Sequence, residues 1–212
     1  MSLFVKKTNT GTNTPLYTLS AEKTVLLVGL GNIGAEYEGT RHNIGFSILD
    51  AFVKQQDLPA WHEKKDLKCH VSSHTLGDTR VIAIKPTTYM NSSGEAVRAV
   101  QQYYKLTNSQ TMVIHDELDL EFGQIRTKIG GGSAGNNGLK SIIQHCGEDF
   151  ARVRVGIKNE LLEKMDSADF VLGRFNKEEQ TKLSAMQREA INILTEYIYK
   201  NELIVETRSF LL

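Results

Sequence analysis

The stretch Thr24-Val-Leu-Leu-Val-Gly29-Leu-Gly31-Asn32-Ile-Gly34-Ala-Glu-Tyr37-Glu-Gly39-Thr-Arg41-His42-Asn43 constrains the fold more than any other part of the chain. Its first residues form an unbroken apolar run, the pattern of a strand buried on both faces. That strand runs into glycines and then directly into polar, chemically capable side chains. Gly29, Gly31 and Gly34 match Gly-x-Gly-x-x-Gly, which in a dinucleotide-binding turn opens a helix whose N-terminus meets the pyrophosphate. Here Gly39 intervenes, and the helical spacing Ile44, Ile48, Leu49, Phe52, Val53 starts only after His42. The segment therefore reads as the edge of an active site, not as a nucleotide cradle, and no cofactor is expected.

The rest of the chain alternates strands and helices. A helix is predicted from about Asn43 to Gln56. Leu67 to Leu76 and Arg80 to Lys85 read as a hairpin turning at Gly77-Asp78. Ser92-x-x-Glu95 is a capping-box signature for a helix through about Tyr104. Thr111 to Asp116 reads as a short buried strand that delivers His115 and Asp116 at its end, and Gly123 to Ile129 as the next strand. Gly130 to Gly135 is a loop that needs backbone freedom. Asn137-Gly-Leu-Lys-Ser-Ile-Ile reads as a helix stopped at Gly147, and Arg152 to Ile157 as a strand. Leu183, Met186, Ala190, Leu194, Tyr197 and Ile198 mark a long amphipathic helix. This order predicts an α/β fold: a single domain with a mixed twisted sheet flanked by helices.

With 212 residues, one domain is the default. The 25 basic and 25 acidic residues cancel, so any contact with nucleic acid must come from a local patch. One candidate lies between Arg126 and Lys158, where six basic residues face only Glu148 and Asp149 in the count. Composition alone leaves open whether this is a binding patch or a solvated face. Cys69 and Cys146 are far apart and match no metal or redox motif, as in a reduced intracellular protein. No apolar run is long enough to span a bilayer, so no membrane contact is expected. Residues 1–22 are rich in Ser and Thr and read as a flexible extension before a catalytic domain of residues 23–212. The absence of arginine there argues against a transit peptide.

Some of these side chains could carry chemistry. His42 precedes the first helix, where its imidazole can face a cleft, although a lone histidine is also a common core residue. Its ordinary pKa of about 6.5 suits a base that takes a proton from water near neutral pH. Asp116, as a strand-end carboxylate, is either a local cap or the group that orients such a base. Asparagines in turns are commonly structural. The pair His115-Asp116 also invites a metal phosphohydrolase reading, but that needs a helical setting and Met112-Val113-Ile114 reads as strand. Asp116, Glu117, Asp119 and Glu121 match no calcium-loop spacing, so no metal is expected.

The opening motif is similar to that of the bacterial-type peptidyl-tRNA hydrolases, and four further blocks continue the resemblance in order. They are Lys85-Pro86-Thr87-Thr88-Tyr89-Met90-Asn91-Ser92-Ser93-Gly94, Ile114-His115-Asp116-Glu117-Leu118-Asp119-Leu120, Gly130-Gly131-Gly132-Ser133-Ala134-Gly135-Asn136-Asn137-Gly138-Leu139-Lys140 and Phe150-Ala-Arg152-Val-Arg154-Val-Gly156-Ile157. The resemblance implies a metal-independent esterase of the cytoplasm, acting as a monomer. It would release tRNA from prematurely dropped peptidyl-tRNA, gripping both the acceptor end and the nascent peptide. It places His42, Asp116 and Asn32 in the catalytic set. Asn91, with Asn32, would hold the peptide end and the scissile ester, and Asn137 would position substrate and water, while Asn43 supports the site. Tyr37 and Tyr89 would stack on the terminal base or line the peptide groove. Arg126, Lys128, Lys140, Arg152 and Arg154 would meet tRNA phosphates. A catalytically silent RNA-binding relative is the alternative, and a nicotinamide-dependent reductase is a third reading.

The chain departs from the family pattern in places. Ile33 stands where a proline is usual, Ser133-Ala134-Gly135-Asn136 where glycines and histidines are common, and Lys158-Asn159-Glu160 where His-Pro-Gly is usual. None of these replaces His42, Asp116 or the three cleft asparagines.

Overall fold

The computed structural model describes residues 23–200 and 202–209, so the expectation for residues 1–22 lies outside the described residues. In chain order the elements are β1 (Lys23–Gly29), α1 (Ile44–Gln55), β2 (His62–Lys64), β3 (Cys69–Leu76), β4 (Thr79–Pro86), α2 (Ser93–Tyr104), β5 (Thr111–Glu121), β6 (Gln124–Ile129), α3 (Asn137–Cys146), β7 (Ala151–Lys158), α4 (Ser167–Leu172), α5 (Lys177–Lys200) and β8 (Thr207–Ser209).

The strands form one mixed sheet of eight in the order β2-β3-β4-β1-β5-β7-β6-β8. Its centre, β4-β1-β5-β7, is parallel, and the flanking pairs are antiparallel. Alternation along β1 splits the core in two. Val25 and Leu27 pack with Ile48 and Phe52 of α1 and Met186 and Leu194 of α5, whereas Leu26 and Val28 pack with Val97 of α2 and Ile142 of α3. The α/β expectation therefore holds as a three-layer sandwich.

Some local expectations change. β5 does not end at Asp116 but runs on to Glu121 beside β7. The capping box at Ser92-x-x-Glu95 does not form: the Gly94 N–H donates to Ser141 Oγ at 3.0 Å, and Glu95 pairs with Lys68 at 2.5 Å. The first turn of α2 is thus capped from α3, an interaction between helices that no local sequence window contains. A reciprocal cap does form at the start of α5. There the Asn176 N–H donates to Glu179 Oε2 and the Glu179 N–H to Asn176 Oδ1, both at 2.8 Å, which sets the helix beginning at Lys177.

One register detail creates the site. β1 pairs with β5 only as far as Gly29 opposite Ile114, so the remainder of β5 passes beyond the end of β1. A gap opens there at the carboxyl ends of the parallel strands, where open α/β sheets bind ligands. α1 is drawn close beneath it: the Leu30 N–H donates to Ile114 O at 3.0 Å and the Phe46 N–H to Leu30 O at 3.3 Å. Only glycine fits at position 45, since a Cβ there would collide with the Ile114 carbonyl oxygen.

Candidate active site

His42 sits in a short 3-10 turn, Arg41–Asn43, that leads into α1. Its Nδ1 lies 2.8 Å from Asp116 Oδ2, and the residue is 9% exposed. An ionised carboxylate only accepts, so Nδ1 carries the proton and Nε2 of the neutral ring keeps its lone pair for the cleft. Burial opposes the charged ring, but the charge and hydrogen bond of Asp116 together outweigh it and raise the His42 pKa above its ordinary value.

The His42 turn is anchored from behind. Arg41 is buried, donating to Glu179 Oε2 at 2.9 Å and to the Arg174 carbonyl at 2.8 Å, with its guanidinium 4.4 Å from the Phe170 ring centre. Glu179 is the hub: its Oε1 also accepts from Asn159 Nδ2 at 2.5 Å. The departure at Asn159 is thereby tied into the support of the histidine. Glu179→Ala would leave the Arg41 charge buried without its partner and should cost about 3–5 kcal/mol of stability. Urea denaturation measures it, and a loss below about 1 kcal/mol, typical of exposed pairs, would refute a structural role for the pair.

The cleft in front of His42 is a cavity of about 360 Å³ lined by residues that include Asn32, Tyr89, Asn91, Asp116, Glu117, Asn136 and Asn137. Ser167, Ala168, Val171 and Leu172 of α4 make one wall, from a helix that the sequence reading did not identify. Asn32 is fixed by its neighbours. Its N–H donates to Asn43 Oδ1 at 2.8 Å, its carbonyl accepts from Asn43 Nδ2 at 2.9 Å, and its Oδ1 accepts the Met90 N–H at 2.8 Å. The Nδ2 donor of Asn32 is the end left for a ligand, and Asn43 braces the Asn32 backbone at both its N–H and its carbonyl. Asn91 and Asn137 are exposed on the same cavity, and Tyr89, 59% exposed, stands at its rim.

Tyr37 is not brought to the cleft. It is half-buried in a turn that closes on itself, Tyr37 N–H to Gly34 O and Thr40 N–H to Tyr37 O, and it lines neither of the two large cavities. His115 and Asp116 do not act as a pair. Strand alternation sends them to opposite faces, and His115 Nδ1 bonds the Asp116 carbonyl at 2.8 Å instead. Among the described residues no three His, Cys, Asp or Glu side chains gather as a cation site would require.

The basic residues divide. Arg126 and Lys128 of β6 lie opposite Arg154 and Arg152 of β7. Arg126, Lys128 and Lys140 are exposed. Arg152 is only 3% exposed and donates to the carbonyls of Gly131 and Gly132 over the Phe150 ring, so it clasps the glycine loop and is unavailable to a phosphate. Arg154 is half-buried against Glu117, with Nε 2.8 Å from Oε2. A second, larger cavity of about 710 Å³ meets the first at Asn32 and is lined by Ile33, Phe46, Asp50, Lys85 and Thr87 among others.

The model of the peptidyl-tRNA hydrolase family matches residues 26–209. The chain belongs to the peptidyl-tRNA hydrolase family. It is 43% identical over 178 residues to the peptidyl-tRNA hydrolase of Ligilactobacillus salivarius, covering 84% of this chain and 94% of that one. With the enzyme of Aliarcobacter butzleri the identity is 44% over 169 residues, covering 80% and 89%. The crystal structure of peptidyl-tRNA hydrolase from Acinetobacter baumannii superposes with a TM-score of 0.77 at 31% identity, covering 86% of this chain and 91% of that one. In this peptidyl-tRNA hydrolase fold the gap beyond β1 is a cleft on which His42, Asn32, Asn91 and Asn137 converge.

Proposed function

We propose that this chain hydrolyses the ester between a peptide and the terminal ribose of tRNA, with His42 as the base that activates water. The observation that carries the reading is the His42–Asp116 pair at 2.8 Å beside a cavity lined by Asn32, Asn91 and Asn137. Neutral Nε2 takes a proton as the water oxygen bonds to the ester carbonyl carbon. The Nδ2 donor of Asn32, with the amides of Asn91 and Asn137, receives the oxyanion that develops there. As the bond to the ribose oxygen breaks, the imidazolium returns its proton to that leaving oxygen. The products are a free ribose hydroxyl and a peptide carboxylic acid, which releases its proton to solvent and leaves as the carboxylate.

The placement of the exposed cations and the larger cavity supports one direction for the substrate. Exposed Arg126, Lys128 and Lys140 belong to the β6 and α3 side of the site, and the larger cavity lies on the other side, beyond Asn32. In this reading the acceptor end approaches over β6 and the peptide leaves toward the larger cavity. The free thiols Cys69 and Cys146 suit a protein of the reducing cytoplasm, and the reaction as written needs only a monomer.

The deciding assay compares N-blocked with unblocked aminoacyl-tRNA in the presence of EDTA. Preferential hydrolysis of the blocked form is expected and should survive the chelator. Binding without hydrolysis would favour the silent RNA-binding relative, and rescue of a chelated enzyme by a divalent cation would overturn the metal-free mechanism.

The tRNA approach has its own test in Lys128→Gln. Losing one phosphate contact should weaken tRNA binding and reduce the slope of log affinity against log salt by about 0.7–0.9. KM should rise with kcat preserved, the mark of uniform binding. An unchanged salt slope would make this face a solvated surface.

A further inference from the structure

Asn136 stands where the glycine loop enters α3, and both ends of its amide are engaged. Nδ2 donates to Asp116 Oδ1 at 3.0 Å, and Oδ1 accepts the N–H groups of Gly138 at 3.0 Å and Leu139 at 3.1 Å. Turning the amide over would set its NH₂ against two donors and its carbonyl against a carboxylate, so its orientation is chemically fixed. Asp116 is therefore held at both oxygens: Oδ2 by His42 and Oδ1 by Asn136.

We propose that Asn136 is a positioning residue of the hydrolytic site, clamping the Asp116 carboxylate so that Oδ2 stays on His42 Nδ1. The inference rests on the reading of His42 as the base. Its physical ground is that the terminal torsion of an aspartate is broad, so a carboxylate with a single partner can swing. A second hydrogen bond to the charged group removes that freedom and is itself among the stronger kinds. Asn136 is in turn fixed by the rigid start of α3 and by a loop whose Gly131 and Gly132 carbonyls are clasped by Arg152. The support of the base thus runs from the backbone of α3 through one neutral amide. Because that amide does not titrate, the clamp persists across the pH range in which His42 changes charge.

The competing role is a helix cap alone, and serine separates the two. Serine caps about as well as asparagine but is too short to reach Asp116. Asn136→Ser should keep the thermal midpoint near that of the unmodified protein. Its kcat on N-blocked aminoacyl-tRNA should fall about 10-fold with KM little changed, the scale of one hydrogen bond to a charged group. Asn136→Asp keeps the cap but replaces the donor with an anion beside the pair. It should also lower kcat near neutral pH and move the acid limb of the rate profile upward. Glu117, the other charged group lining the cleft, and the Arg154 paired with it behind are unchanged in both variants.

A readout independent of turnover is the His42 titration followed by NMR of its ring protons. In Asn136→Ser its midpoint should fall back toward the ordinary imidazole value as the grip of Asp116 loosens. Wild-type kcat with an unmoved His42 midpoint in Asn136→Ser would reduce Asn136 to a cap. Absence of hydrolysis by the unmodified protein would instead defeat the functional reading, while the NMR shift would still decide whether Asn136 positions the pair.

Discussion

Replacing His42, the proposed base, with alanine should lower turnover of N-blocked aminoacyl-tRNA by about 10²–10⁴-fold while the chain still folds, the contribution of a positioned general base. The residual rate is what the amide donors of the cleft supply by binding and polarising the ester. Near-normal turnover would mean that the proton is taken elsewhere, and the cleft around Asp116 would need another base. The same variant carries a stability signature. The His42 pKa is raised in the fold against the cost of burial, through the charge and hydrogen bond of Asp116. A group with a raised folded pKa adds stability that is fully present below its unfolded value and lost as pH rises through the folded one. The deficit of His42→Ala in urea titrations should therefore be largest in acid and fall, above that raised pKa, to the pH-independent part that lost packing and the neutral hydrogen bond leave. A pH-independent deficit would indicate lost packing only.

The two halves of the site differ in how far they can be read from the sequence. His42 and Asp116 are legible because each closes a local pattern: a glycine-rich exit from a buried strand in one case, an apolar run ending in acids in the other. Their meeting is a matter of register, since β1 stops opposite Ile114 while β5 continues. The supports are where the reading falls short. Arg152 looks like a free cation in the sequence, yet the carbonyls of the glycine loop and the Phe150 ring enclose it. Its alternation with Arg154 was legible; which face of β7 the loop would cover was not. Tyr37 follows the glycines as closely as His42 does, but it sits in a self-closed turn and lines neither large cavity. The Asn176-x-x-Glu179 pattern is a legible cap that the apolar periodicity, beginning at Leu183, overshadowed. The additional roles of Glu179 in holding Arg41 and Asn159 are contacts distant in sequence, and no spacing rule anticipates them.

Asn136 shows the same division within one side chain. As the residue before a helix, its capping role is a local property of the sequence. Its bond to Asp116 spans the site and emerges only from the placement of α3 against β5.

That placement determines what happens when Asp116 is changed to asparagine. The new amide meets two fixed neighbours, the donor Nδ2 of Asn136 on one side and Nδ1 of His42 on the other. The Asn136 donor draws the amide oxygen to itself, which turns the NH₂ toward His42. Nδ1 must then accept, the ring proton moves to Nε2, and the nitrogen facing the cleft has no lone pair for water. Turnover should fall by up to about 10⁴-fold, the scale of an orienting aspartate converted to its amide in a hydrolytic triad. The pH profile should shift as well. Burial, the largest influence on His42, disfavours the imidazolium, and only the charge and hydrogen bond of Asp116 overcome it. With the charge gone, burial prevails and the His42 pKa drops, so the acid limb of the residual activity moves to lower pH. A kcat profile whose limb stays in place, with turnover reduced less than about 10-fold, would show that Asp116 is not what sets the base, since even one hydrogen bond to a charged group is worth that much.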